Sequence, residues 1–358
     1  MRAYHWPMTA EQVIAKIQDA VSRGVPLRIR GGGSKDFYGE PAHGEELSTL
    51  GLSGITSYEP SELVVTVKAG TPLSKLESVL AERGQCLPFE PPHFAGNATV
   101  GGMVAGGLSG PARASAGPVR DYVLGLSMIN GRGELLTFGG QVMKNVAGYD
   151  VSRLMVGALG TLGLIVEVSL KVLPIAPSEA TLAFDLSQRD ALRRLNEWGG
   201  QPLPLNASCW IDGKLLLRLR GAVAAVDAAC RALGGERATF DWTGCRDQTL
   251  SWFTQCGGTD LWRISVAQTA PVLDLPEPPL VEWHGGLRWV RTNAGEGARI
   301  RDTAARASGH ATLFAPADSA STNRFTPLAA PLDRIHRELK REFDPAGIFN
   351  RGRLYPDF

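Results

Sequence analysis

Leu27-Arg28-Ile29-Arg30-Gly31-Gly32-Gly33-Ser34-Lys35 runs a short alternating strand straight into three glycines, a hydroxyl and a cation. Glycine accepts positive φ, so consecutive N–H groups beyond the strand can turn to one side and form a concavity for an anion. Alone, the stretch reads equally well as a flexible turn. It fits neither G-x-x-x-x-G-K-[ST] nor G-x-G-x-x-G, and no helical pattern opens directly behind it, so a P-loop and a Rossmann site are both unsupported. Two more glycine-rich stretches follow. Thr99-Val100-Gly101-Gly102-Met103-Val104-Ala105-Gly106-Gly107 suits either main-chain contact with a phosphate or flat ligand, or close helix packing through small residues. Gly157-Ala158-Leu159-Gly160-Thr161-Leu162-Gly163 feeds the strand Leu164–Leu173 and by itself is an ordinary turn.

Around these stretches the pattern alternates helix and strand. Thr9 precedes a helix over Glu11–Ser22, with Val13, Ile17 and Val21 at a spacing of four and Gly24 as its stop. A strand is expected at Leu63–Val67, and a helix from Gly70-Thr71-Pro72 to Arg83. Residues 91–120 carry no long periodic run. Val123–Ile129 and Glu134–Phe138 form a hairpin about Asn130-Gly131-Arg132-Gly133. Pro174 and Pro177 mark a linker. Beyond it come strand 181–186, helix 188–198, strands 207–212 and 215–219, helix 221–233 and strand 237–242. This β-α-β-β-α-β order predicts an antiparallel sheet backed by helices. Strand 287–292, helix 297–307 and strand 310–314 extend it, with 270–280 as a surface connection. A helix at 329–342 leads into Asp344-Pro345-Ala346-Gly347-Ile348-Phe349-Asn350-Arg351-Gly352-Arg353.

Composition narrows the class. A chain of 358 residues suggests two or three domains. Its 37 Lys+Arg and 36 Asp+Glu give a net charge of +1, against a generally basic nucleic-acid binder or an acidic disordered chain. The 42 glycines stand well above the usual share of about 7% and concentrate at the three stretches. Cys86, Cys209, Cys230, Cys245 and Cys256 are odd in number and lack C-x-x-C spacing. That argues against a disulfide framework and against an iron–sulfur cluster held by this chain. Reduced thiols in a cytoplasmic protein are expected. Met1-Arg2-Ala3-Tyr4-His5-Trp6-Pro7 has no apolar signal region, and Leu154–Ile175 is broken by Gly, Pro, Glu167 and Lys171, so no membrane span is read.

The three glycine stretches in this order are more specific than any one. With Ala98-Thr99-Val100-Gly101-Gly102, Val119-Arg120-Asp121-Tyr122-Val123-Leu124-Gly125 and Gly160-Thr161-Leu162-Gly163, the chain resembles the vanillyl-alcohol oxidase / p-cresol methylhydroxylase (PCMH) flavoprotein family over about residues 5–174 and again at 344–353. Lys144-Asn145-Val146-Ala147-Gly148-Tyr149-Asp150 and the ending Phe349-Asn350-Arg351-Gly352-Arg353-Leu354 are most similar to the small FAD-binding subunit of bacterial glycolate oxidase, a multi-subunit glycolate dehydrogenase.

The resemblance implies an α+β fold: a two-subdomain PCMH-type FAD-binding domain over 1–174, a smaller antiparallel ferredoxin-like cap over 175–325, and a return to the first domain over 326–358. It implies non-covalent FAD, with the pyrophosphate on Arg30, Gly31, Gly32, Gly33, Ser34 and Lys35 and on Thr99, Val100, Gly101 and Gly102. Pro88 and Gly106 are expected beside the cofactor, and Gly160, Thr161, Gly163, Ile165 and Val166 at its adenosine end. The isoalloxazine is expected to face the cap. Asn350 and Arg353 either reach flavin polar atoms or end a helix and carry surface charge.

The implied activity is two-electron oxidation of glycolate to glyoxylate. An iron–sulfur subunit would receive the electrons, and a second FAD-containing subunit would complete the complex. Neither nucleic acid nor an integral membrane segment is expected, and any inner-membrane association would run through partner subunits. A self-sufficient flavin oxidase of another alcohol or hydroxy acid, and a non-catalytic flavoprotein subunit, are the alternatives.

The sequence also departs from the family pattern. Arg351 replaces a proline, and Ala158-Leu159 replaces a Ser-Glu pair. The six histidines (His5, His43, His93, His284, His310, His336) include only Gly309-His310 as a trace of a metal-binding element, so no metal site is expected, and His310 reads as a strand or core residue. His93 is either close to flavin or an ordinary loop residue. Trp242, Trp252, Trp262, Trp283 and Trp289 are mostly core, or else serve an interface. No catalytic residue stands out.

Overall fold

The computed structural model describes residues 9–140, 150–255 and 258–358. His5, Cys256 and the motif residues 144–149 lie outside them. The first half contains α1 (Ala10–Arg23), β1 (Leu27–Arg30), β2 (Glu45–Ser48), β3 (Ile55–Glu59), β4 (Val64–Lys68), α2 (Leu73–Ala81) and β5 (Gln85–Cys86). Next come α3 (Val100–Gly106), α4 (Arg113–Ala116), β6 (Val123–Ile129), β7 (Leu135–Gly139), α5 (Val151–Leu154), β8 (Leu164–Lys171) and β9 (Leu173–Pro174). Thr9 caps α1, accepting from the Gln12 amide while the Gln12 side chain accepts from the Thr9 N–H, and Gly24 ends the helix at φ 65°.

Two sheets frame this half. β1 and β2 pair in parallel, and the chain end joins them: Leu27 N–H donates to Ile348 O, and Asn350 N–H to Leu27 O. The second sheet is antiparallel, in the order β3-β4-β8-β6-β7. Its apolar face packs on α2 and α3 through Val65, Val67, Leu73, Leu76, Met103 and Val168, all essentially inaccessible to solvent.

The second half holds β10 (Ser178–Asp185), α6 (Gln188–Gly199), β11 (Leu205–Ile211), β12 (Lys214–Gly221), α7 (Val223–Leu233), β13 (Glu236–Arg237), α8 (Trp242–Asp247) and α9 (Ser251–Thr254). It continues with β14 (Asp260–Ser265), β15 (Leu280–Glu282), β16 (Leu287–Thr292), α10 (Gly297–Arg306), β17 (His310–Ala315) and α11 (Ala330–Phe343). Its strands form one eight-stranded antiparallel sheet, β13-β10-β12-β11-β15-β16-β14-β17. The expected ferredoxin-like unit is one half of this sheet, and β15 joins the halves by pairing with both β11 and β16.

Three local expectations change. The strand read at 237–242 shrinks to Glu236–Arg237, because Asp241 accepts from the Gly244 amide and starts α8 instead. The five tryptophans are all buried, so none supplies an exposed interface. His310 opens β17 but is exposed, so it lies in a strand and not in the core.

Glu90 ties the halves together. This residue, just beyond β5, pairs with Arg218 at 2.7 Å and Arg220 at 3.0 Å, both on β12. The Arg218 side chain is almost wholly buried, so removing Glu90 would leave an uncompensated charge inside the molecule.

Candidate functional site

The three glycine stretches converge. They border two adjoining hollows of about 460 and 510 Å³ that share Ile29, Gly31, Gly102, Ala105, Leu159 and Asn350. The Gly31–Lys35 turn forms one wall. Gly33 lies at φ 79°, and its carbonyl accepts from the Asp36 amide. The backbone N–H groups from Gly31 to Lys35 have no acceptor among the described residues. That is the donor arrangement an anion needs.

The charges beside this turn divide. Arg30 borders the hollow, but its Nε donates to Asp36 at 2.7 Å and its guanidinium lies near Glu46, so its charge is largely spent. Lys35 stays available. Its Nζ is 3.3 Å from the Ser34 hydroxyl and 5.5 Å from the centre of the Phe94 ring, with no carboxylate in ion-pair range among the described residues. Burial lowers its pKa to about 8, partly opposed by Asp247.

Thr99–Gly102 supplies a floor on which, among the described residues, only the Thr99 N–H lacks an acceptor. Thr99 caps α3 by accepting from the Gly102 amide, while Val100 N–H donates to Thr71 O and Gly101 N–H to Ala69 O. Three of the four amides of this stretch are therefore satisfied by protein, and the Thr99 N–H is left for a ligand. Glycine is needed for another reason: a Cβ on Gly101 would lie 2.6 Å from the Ala69 Cβ, and one on Gly31 would lie 2.3 Å from the Thr99 hydroxyl. The bare backbone brings the first two stretches within touching distance.

The third stretch closes the far end. Gly157 and Leu159 amides donate to Val104 O and Ala105 O and so cap α3. Gly160, at φ 73°, leaves room for Asn350, whose amide nitrogen would be 2.7 Å from any Cβ there. Asn350 accepts from Ile29 N–H at 2.7 Å and donates to Leu159 O at 2.6 Å. It thus clamps β1 to the third stretch. Arg353 donates to the carbonyls of Lys35, Asp36 and Glu40, and burial lowers its pKa to about 10. Both tail residues brace the walls with atoms that the sequence offered to flavin.

Four expected residues stand elsewhere. Pro88 does not border the hollows, and its neighbours Leu87 and Phe89 are buried core. Val100 is wholly buried in that core, Thr161 bonds its hydroxyl to Ala158 O, and Val166 lends its carbonyl to the Ala69 amide. Gly106 and Gly163 do border the hollows, as does Ile165. Two residues escape sequence reading: Asn97, whose side-chain amide donates to Gly32 O, and Lys340. The buried Lys340 ammonium donates to Thr161 O, Phe349 O and Asp344 and fixes the tail on the third stretch. His93 is not free for flavin: its Nε2 lies 2.8 Å from Glu77 and its amide donates to Asp247.

A family model described as "FAD binding domain" matches residues 1–139. The glycolate oxidase subunit GlcE of Escherichia coli is 46% identical over 97% of this chain and 98% of its own length. The chain belongs to the GlcE family. The D-lactate dehydrogenase of Archaeoglobus fulgidus is 31% identical over 56% of this chain and 45% of its own length, so that likeness is confined to part of each protein. A solved structure of alkyldihydroxyacetonephosphate synthase superposes with a TM-score of 0.66 over 96% of this chain and 75% of its own, at 16% identity, and thus shares the fold.

Like its family, the chain is an FAD-dependent oxidoreductase. The site residues fit that cofactor: free N–H groups, a lone ammonium and a floor of bare glycine backbone suit a diphosphate carrying about two charges. Among the described residues, no group of three or more His, Cys, Asp or Glu is placed to hold a metal, and no helix is long and apolar enough to cross a membrane.

Proposed function

We propose that this GlcE-family chain is the FAD-binding subunit of a multi-subunit glycolate oxidase and takes part in the two-electron oxidation of glycolate to glyoxylate. The free N–H row from Gly31 to Lys35, beside an ammonium with no carboxylate partner, carries the reading. Gly31–Lys35 would hold the pyrophosphate, with Gly101, Gly102 and Gly106 as the surface beneath it. Gly160, Gly163 and Ile165 would receive the adenosine end. Asn350 and Arg353 act as positioning residues, since their polar atoms hold β1 and the 35–40 loop in place. Among the described residues none offers an evident covalent attachment, in keeping with non-covalent retention.

FAD supplies the two-electron acceptor chemistry when bound. The surrounding chain would orient it and limit its contact with water. Electrons would leave for an iron–sulfur partner subunit, because this sequence offers no C-x-x-C pair to hold a cluster. A second flavoprotein subunit would complete the assembly. The test is direct. Purified chain should show flavin absorbance and release FAD on denaturation, and tagged chain should co-purify with an iron-containing partner. A colourless chain saturated with added FAD and showing no change in fluorescence would end the proposal.

A further inference from the structure

β11 and β16 both run antiparallel to β15, so their last residues emerge at the same end of the cap sheet. There a groove of about 430 Å³ opens between these strand ends, α9 and the connection that leads into β15. Every residue bordering it belongs to the second half, whereas the glycine hollows are bordered by the first half and the tail. The groove is thus separate from the FAD site.

Arg291, on β16, supplies its positive charge. The guanidinium stacks on Trp252 of α9 at 4.6 Å and has neither hydrogen bond nor ion pair among the described residues. One nitrogen, Nη1, is buried without a partner. A partly buried cation left in this state is costly unless something answers its charge. The platform beneath it is braced: Phe253 meets Trp252 edge-on at 5.1 Å and Trp289 at 5.7 Å. The cation is therefore set in place before a ligand arrives, which lowers the cost of binding one.

Two carboxylates border the same groove. Asp212 lies in the turn between β11 and β12, and Glu277 in the 270–280 connection. Both are exposed, and neither has a cation in ion-pair range among the described residues. Ile211, Trp252 and Pro278 add apolar wall. Opposite charges that share a groove without touching suit a ligand that carries both signs. A simple anion would meet two carboxylates, and a simple amine would meet the guanidinium.

We infer that this groove binds a zwitterionic α-amino acid with an apolar side chain. Its carboxylate lies on Arg291, its ammonium faces Asp212 and Glu277, and its side chain rests on Trp252, Ile211 and Pro278. A guanidinium fork matches a carboxylate, and the space falls in the usual range for small-molecule sites. The inference goes beyond the proposed function and stands without it.

The probe is L-leucine, titrated into the full-length chain by calorimetry and by tryptophan fluorescence at neutral pH. It should bind saturably at one site. Two fragments serve as controls: 4-methylpentanoate, which lacks the ammonium, and 3-methylbutylamine, which lacks the carboxylate. Each should bind at least about tenfold more weakly. Arg291→Met should weaken leucine binding by a similar factor with flavin content unchanged. Joint Asp212→Asn and Glu277→Gln, both at exposed positions where folding is not at stake, should weaken leucine and strengthen 4-methylpentanoate. Absence of saturable binding up to about 50 mM leucine would overturn the inference. So would equal affinity for 4-methylpentanoate, or leucine binding unaltered by either set of substitutions.

Discussion

The glycine hollow and the interdomain cavity are neighbours, linked through Lys35 and Phe94, yet they are made of different material. The hollow is lined by backbone: free amides, bare Cα atoms and carbonyls held by Asn350 and Arg353. Its residues come in short contiguous runs. Apart from the run Leu108–Pro111, the cavity between that segment and the cap is lined by side chains from α8, β14, β15 and the turn after it, β16 and β17, each contributing one or two groups. Main-chain recognition must be written as a motif, because only glycine permits it. Side-chain recognition is assembled from scattered positions and leaves no local signature.

The sharpest way to break this contrast is Gly101→Val. The added carbons would meet Ala69 in a packed interior, so α3 should shift, flavin retention should fall below detection, and stability should drop by about 1–3 kcal/mol. Absorbance and thermal unfolding report the two effects. Normal flavin content would mean that the floor need not be bare. Lys35→Ala should act differently, lowering FAD affinity roughly 10–100-fold with little change in unfolding, since it removes a charge-assisted contact from the ligand and no contact from the core. Equilibrium dialysis with FAD measures it.

Asn350→Ala removes a clamp, leaving the Ile29 amide and Leu159 carbonyl without that partner. It should cost about 1–2 kcal/mol in denaturant unfolding, with a smaller loss of flavin than Lys35→Ala. The last test concerns Glu282, buried at the end of β15. Glu282 keeps its proton to about pH 7 in the folded chain but loses it near the usual 4.5 when unfolded. Between these values the folded state binds more protons, so this group makes stability fall as pH rises. Glu282→Gln should therefore gain stability relative to the unmutated chain as pH rises from about 5 to 8. Urea unfolding at the two pH values is the check, and a parallel response in both proteins would show that Glu282 is ionised throughout.

Much of the first half was legible. Thr9 and Gly24 bound α1 where capping chemistry placed them, and the alternation at 164–172 became β8 with one face in the core. The hollow was legible as three stretches, but which atoms do the work was not. Val100, Gly101 and Gly102 spend their amides on Thr71, Ala69 and the Thr99 cap, and only a partner distant in sequence could reveal the first two. The 237–242 strand failed because Asp241 offered the backbone a helix cap that outweighed β-pairing there.

The sequence by itself settled the family resemblance, the cofactor class and the places where backbone had to be bare, because those demands act on single residues and survive in their order. Tertiary structure decided where charge remains unspent. Arg30 is paired with Asp36 and Glu46, while Lys35 has no carboxylate in ion-pair range among the described residues, an outcome set by which carboxylates folding brings within reach.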